Sequence, residues 1–231
     1  MQFWSNMVIE NDPKSVLELA CGTGRLANIF LRENINYTGI DIIPHFLKIA
    51  KKKIKPYSNK STFVHGDIKK FNLNKKYDFI FIAFNSFLHL LTNKDINRCL
   101  TQIKLHMHDH THFIIDVFIP NPLFLYKPEN YKSKVLEFFD SKKKEKVYVE
   151  EINNYDPDTD INKITWFFST DNEIDYDKRN FSMRMLFPST INKLLIDQEF
   201  KICNLWGSYD KTNLNEGSKL QIYDLMLNSN S

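Results

Sequence analysis

Apolar positions follow two different periods along this chain. Residues 16–20 are apolar except for one acid, Glu18, and run into Gly22-Thr23-Gly24. Leu26, Ile29, Phe30 and Leu31 then recur at helical spacing. This predicts a strand, a glycine turn and a helix over about 24–33. The alternation repeats downstream: strand 37–41, a helix opened by Pro44 with Phe46, Leu47, Ile49, Ala50 and Ile54 inward, and strand 62–65. Residues 77–84 are apolar almost throughout, as in a central parallel strand covered on both faces. A helix over 93–104, with Ile96, Leu100 and Ile103 inward, leads to a fifth strand over 113–119. Before the first strand, Phe3, Trp4, Met7, Val8 and Ile9 suggest a brief covering helix, closed by the Asp12-Pro13 turn.

After Pro120 the period becomes that of strands without helices, over 132–140, 145–154, 161–169 and 179–187. Pro188 then opens a helix to about Gln198, and strands over 200–206 and 220–227 return to the first sheet. The expected organisation is a Rossmann-like α/β domain over 1–119 and 188–231, with an antiparallel β insertion over 120–187 as a lid. Its aromatic residues, among them Phe138, Trp166 and Phe187, either wall a pocket or form the insertion's own core.

The 231 residues are 42% hydrophobic and 14% aromatic, which excludes a disordered chain. A net charge of +3 is too balanced for a nucleic-acid protein, so the Lys runs at 51–53 and 142–144 read as solvated faces. The widely spaced Cys21, Cys99 and Cys203 make neither a disulfide framework nor a zinc pattern, and buried free thiols are expected. Neither a membrane span nor a signal-peptide layout is present, which points to the cytoplasm. Two metal-like patterns lack a fixed geometry. The histidines between His106 and His112 fall in an expected helix-to-strand connection. Asp156-x-Asp158-x-Asp160 lacks the glycine and terminal Glu of a calcium loop and reads as a hairpin turn, so no metal is expected.

The chemistry concentrates beyond the carboxyl ends of the first strands. Glycines at 22 and 24 allow a ligand close to the backbone. Asp41, ending the second strand, has two acceptor oxygens for two ribose hydroxyls. Asp67, past the third, either accepts from an adenine amino group beside Ile68 or caps a helix. The turn lacks the full G-x-G-x-x-G pattern of dinucleotide sites, while the in-strand Glu18 suits a ligand carrying an ammonium.

Glu18-Leu-Ala-Cys-Gly-Thr-Gly24 resembles the first motif of class I S-adenosylmethionine-dependent methyltransferases, with Ala20 where many members have glycine. Tyr37-Thr-Gly-Ile-Asp41, Gly66-Asp67-Ile68, 84–90 and the segments after Arg184 are similar to the family's later motifs. The N-terminal 14 residues are shorter than the family's usual helical cap. The resemblance implies a seven-stranded sheet, mostly parallel with the last strand antiparallel. It implies S-adenosylmethionine contacts from Glu18, Ala20, Cys21, Gly22, Gly24, Arg25, Asp41, Ile42, Gly66, Asp67, Ile68, Phe84 and Asn85. Catalytic roles are expected of His89 and Asn85, and substrate contacts of Ser86, His89, Trp166 and Arg184. His89 also reads as a packing residue, Asn85 as a cofactor contact, and Arg184 as an ion-pair partner. The expected reaction is methyl transfer to a small molecule or peptide end, nitrogen ahead of oxygen, by a protein that could form a homodimer. An NAD-type oxidoreductase and a non-catalytic S-adenosylmethionine-binding subunit are the alternatives.

Overall fold

The computed structural model describes residues 1–128 and 130–228. The last residues of the expected 188–231 span, 229–231, lie outside them, as does Glu129. The chain divides into two compact units. One comprises Met1–Phe87, Thr92–Ile119 and Pro188–Ser231, and the other Leu88–Leu91 and Pro120–Phe187.

The first unit is built on seven strands: β1 (Ser15–Leu19), β2 (Asn36–Asp41), β3 (Ser61–His65), β4 (Tyr77–Ile82), β5 (Met107–Phe118), β10 (Phe200–Trp206) and β11 (Leu220–Leu227). Their order is β10-β11-β5-β4-β1-β2-β3. β11 is antiparallel to both neighbours, and the other pairings are parallel. β1 and β4 are central and almost wholly buried, which explains their near-continuous apolar sequence. The helices are α1 (Gln2–Asn11), α2 (Ala27–Arg32), α3 (Pro44–Lys53), α4 (Asn93–Leu105) and α6 (Pro188–Asp197). α1 buries Phe3, Trp4, Met7 and Val8, and leaves Ile9 exposed. The Trp4 ring lies 4.7 Å from Phe81, and Phe30 of α2 stacks on Phe81 at 5.3 Å. This aromatic layer anchors both helices to β4, the kind of burial that dominates core energetics.

The second unit holds α5 (Pro122–Leu125) and an antiparallel sheet of β6 (Ser133–Asp140), β7 (Glu145–Asp156), β8 (Ile161–Ser169) and β9 (Asp177–Arg184), in that order. In the turn after β7, Asp156 accepts from Asp158 N at 3.0 Å and from the Thr159 hydroxyl at 2.7 Å. These bonds close the hairpin.

Several local expectations change. α2 starts at Ala27 because residues 22–26 form a turn that frees the loop backbone. β4 stops at Ile82, since Phe84 and Asn85 take positive φ. β9 spans Asp177–Arg184 in place of 179–187. Phe46 and Ile49 of α3 are exposed; the buried stripe is Leu47 and Ala50. Cys203 is half-buried, unlike Cys21 and Cys99.

The histidine tract belongs to β5 rather than to a connection, except for His106, which caps α4. Its side chains disperse. His106 is buried, donating from Nδ1 to Gln102 O at 2.7 Å while Nε2 accepts from Leu73 N at 3.0 Å. His108 and His110 stack on each other. His112 Nδ1 bonds the buried Asp224 Oδ1 at 2.6 Å, which raises the imidazole pKa. Among the described residues no three such side chains converge on a metal position.

The His112–Asp224 pair makes a prediction. A histidine whose pKa is raised on folding stabilises the native state fully below its unfolded value near 6.5, and that stabilisation is lost as pH rises through the raised value. Urea midpoints of the wild type should therefore fall from pH 6 to pH 8.5 relative to His112→Asn, and parallel curves would remove the pair from the stability balance.

Candidate active site

The ends of β1, β2 and β4 are adjacent, with Leu19 paired to Ile40 and to Ile82. β1 and β4 each end in a turn through positive φ. After β1 the chain alternates through positive φ at Ala20 (55°), Gly22 (54°) and Gly24 (68°). Ala20 carries a conformational cost that a glycine would not. A Cβ built on Gly22 meets nothing within 4 Å, so the loop borders open space. After β4, Phe84 and Asn85 take φ of 53° and 65°.

Asp41 joins the first two ends. Its Oδ2 accepts from Gly22 N at 2.7 Å and its Oδ1 from Ile43 N at 2.8 Å. A carboxylate has about four acceptor directions, so each oxygen keeps capacity for a ligand hydroxyl. Ile42, next along, is 60% exposed, an apolar face beside the acid. Gly66 N donates to Asp41 O at 3.1 Å, which brings the Gly66-Asp67-Ile68 segment to the same place. No helix follows Asp67, so the capping alternative is set aside. Its carboxylate instead accepts from Lys69 N at 2.9 Å and pairs with Lys69 Nζ at 3.8 Å.

Glu18 is 4% exposed, and the buried Tyr37 hydroxyl donates to its carboxylate. Burial pushes its pKa up from 4.5 to about 8, although the Tyr37 bond and the Arg25 charge oppose the shift. Cys21 packs below, its thiol pKa raised by burial. Gly39, paired with Glu18, is forced: a Cβ there would stand 2.7 Å from Cys21 Sγ and 2.9 Å from the Tyr37 oxygen.

The Arg25 guanidinium lies 3.7 Å from the Phe84 ring centroid. Phe84 N donates to Asp116 Oδ2 at 3.2 Å, and Tyr209 OH donates to the same oxygen at 2.7 Å. Asp116 is buried, which raises its pKa. Asn85 also holds this turn: its Oδ1 accepts from Phe118 N at 2.8 Å and its N–H donates to Asp116 O at 3.1 Å. That leaves Nδ2 as the amide group Asn85 has to offer. Ser86 opens the short helical turn Ser86–His89.

The structure thus gathers Glu18, Ala20, Cys21, Gly22, Gly24, Arg25, Asp41, Gly66, Phe84 and Asn85 around the strand ends of the first unit. The expected substrate residues His89, Trp166 and Arg184 belong to the second unit. His89 is exposed, and its Nδ1 bonds the Ser182 carbonyl at 3.1 Å. Trp166 donates to Glu151 Oε2 at 2.5 Å, and Arg184 ends β9 opposite Ile161. Tyr37, Gly39, Asp116 and Tyr209 also shape the site, although the motifs that contain Tyr37, Gly39 and Tyr209 implied no contact role for them. For Asp116 the signal was present, since it is a lone acid inside an apolar strand, as Glu18 is.

Residues 16–109 match the methyltransferase domain family. A curated relative, the dTDP-3-amino-3,4,6-trideoxy-alpha-D-glucopyranose N,N-dimethyltransferase of Streptomyces venezuelae, is 25% identical over 96 residues. That alignment spans 42% of this chain and 39% of the relative's length. The fold matches the CcbJ methyltransferase of Streptomyces caelestis with a TM-score of 0.83 at 18% identity, covering 98% of this chain and 88% of that one. It matches the sugar N-methyltransferase KedS8 of Streptoalloteichus with a TM-score of 0.69 at 15% identity, covering 96% and 85%. The Rossmann-like methyltransferase sheet, six strands parallel and one antiparallel, is therefore the fold of this chain, as its motifs implied.

Glu18 makes this site pH-sensitive. Between pH 4.5 and about 8 the native state holds a proton that the unfolded chain has released, so stability falls as pH rises through that window. The wild type should lose a few kcal/mol between pH 5 and pH 8 relative to Glu18→Gln, measured by denaturant unfolding. Equal slopes in the two proteins would show that Glu18 ionises freely.

Proposed function

We propose that this chain, a member of the class I S-adenosylmethionine-dependent methyltransferases by the match of residues 16–109 and by its fold, transfers a methyl group to a nitrogen of a small molecule. The observation that carries the reading is the Asp41 carboxylate tied to Gly22 N beside the open space of the positive-φ loop. The donor set fits the cofactor. Asp41 takes the ribose hydroxyls, Ile42 and Ile68 offer apolar surface to the adenine, and Asp67 accepts from its amino group. Glu18 and the loop backbone face the ammonium end. The cofactor supplies a methyl already activated on a sulfonium, so the protein's main task is to position the acceptor.

His89 is the candidate base. The Ser182 carbonyl can only accept, so Nδ1 carries the hydrogen and a neutral His89 presents Nε2 as the acceptor. That nitrogen can take the proton an amine loses on methylation. A nitrogen acceptor is favoured because one of two curated relatives is an amino-sugar N,N-dimethyltransferase and a protein of the same fold is a sugar N-methyltransferase, although the other relative is a demethylmenaquinone methyltransferase. A net charge of +3 gives no reason to invoke nucleic acid.

Two experiments test the proposal. Calorimetry with S-adenosylhomocysteine should show binding to the wild type and a loss of about 100-fold or more in Asp41→Ala, the effect of two charge-assisted hydrogen bonds at about 1.5 kcal/mol each. No binding to the wild type would refute the cofactor assignment. With an acceptor identified by mass gain in an amine screen, His89→Gln should lower turnover about 100-fold or more at neutral pH. Unchanged turnover would remove His89 as the base.

A further inference from the structure

One buried acid of the first unit stands apart from the groups that face the cofactor, yet it holds one of their turns. Asp116 lies on β5 opposite Ile222 of β11 and is 1% exposed. Two donors meet at its Oδ2, Phe84 N at 3.2 Å and the Tyr209 hydroxyl at 2.7 Å. Its backbone carbonyl accepts from Asn85 N at 3.1 Å. Phe84 and Asn85 both take positive φ, which a residue other than glycine keeps only where its surroundings impose it. Asp116 imposes it twice, with its side chain on the first amide and its backbone on the second.

Tyr209 is itself held in place. It belongs to the turn after β10, closed by Gly207 N to Thr212 O at 2.8 Å and by Thr212 N to Asp210 Oδ1 at 2.9 Å. Its ring lies 5.5 Å from that of Phe3 on α1. Lys211 ties the same turn to α1 through an ion pair with Glu10, its ammonium 5.9 Å from the Phe3 ring centroid. A line of contacts therefore runs from α1 through Tyr209 and Asp116 to Phe84. Beyond Phe84 it reaches the loop after β1, because the Phe84 ring carries the Arg25 guanidinium at 3.7 Å.

We infer that Tyr209 and Asp116 are positioning residues for the cofactor: Tyr209 holds the Asp116 carboxylate, and Asp116 holds the Phe84–Asn85 turn, with Arg25 stacked on it, in the form that binds S-adenosylmethionine. This inference rests on the methyltransferase reading above. The role belongs to the ionised acid. A carboxylate makes both Oδ2 bonds charge-assisted, whereas a proton on Oδ1 leaves Oδ2 a carbonyl oxygen and weakens both. Tyr209 and Arg25 are the titratable and charged side chains that face Asp116. Both favour its ionised form, as does the Phe84 amide, against the burial that opposes it. Cofactor affinity should therefore fall on the acid side at a pH that Tyr209 helps to set. Without the hydroxyl, Asp116 takes up its proton more readily, so the fall begins at a higher pH.

Calorimetry of the full chain with S-adenosylhomocysteine, run from pH 5 to pH 8.5, tests this. Tyr209→Phe keeps the ring beside Phe3 and removes only the hydroxyl. Its affinity should lie about tenfold below the wild type, the effect of one hydrogen bond to a charged group, and the gap should widen as pH falls. Asp116→Asn still offers one oxygen to both donors but cannot titrate, so the acid-side fall that moves in Tyr209→Phe should be missing from it. Glu18 titrates in all three proteins, and the differences between their profiles isolate Asp116. Equal affinities of Tyr209→Phe and wild type at every pH would overturn the inference. So would a loss of the same size at every pH, the result expected if Tyr209 only packs. Should Asp116→Asn not fold, the Tyr209→Phe profile decides alone. No binding to the wild type at any pH would defeat the methyltransferase reading and this inference with it, whereas wild-type binding beside an unaltered Tyr209→Phe profile would defeat the inference only.

Discussion

The bridge from Asp41 to the Gly22 and Ile43 amides is the constraint on which the site depends. It fastens the loop after β1 to the end of β2 and fixes the direction of both. Its cost is a buried acid, offset by two charge-assisted bonds from backbone N–H groups. Because the same oxygens retain acceptor capacity, one side chain serves both as a strut and as a recognition group.

Around that strut the site is held by close approach and desolvation. Gly39 leaves room for Cys21 and for the Tyr37 hydroxyl, which reaches Glu18 in the sheet interior. The second turn is held independently, by Asp116, Tyr209 and the Asn85 amide. Rigid strands carry two strained turns, which is how a fold keeps a site preorganised without giving up its core. The aromatic layer of Trp4, Phe30 and Phe81 supports this from beneath.

Chemistry is divided between the two units. The first offers acids and free backbone geometry at its strand ends. The second holds His89 against the Ser182 carbonyl and the buried Glu151 carboxylate against the Trp166 indole. A fold shared with many methyltransferases leaves the acceptor open, because acceptor choice depends on side chains grafted onto that fold.

The element order and the nucleotide-type loop were legible in the sequence. Buried parallel strands must be continuously apolar, and a backbone that turns beneath a ligand needs glycine at Gly22 and Gly24. An acid ending β2 was likewise visible as Asp41. What only the tertiary structure decided is which polar groups meet. His106, His108, His110 and His112 look like one tract, yet the helix cap and strand pleat send them to separate partners. Asp116 meets Tyr209 across 93 residues, and Glu151 meets Trp166 through antiparallel register. Periodicity records which face of an element is buried; it carries no information about which buried acid will find which donor, because that pairing is set by register between strands distant in sequence.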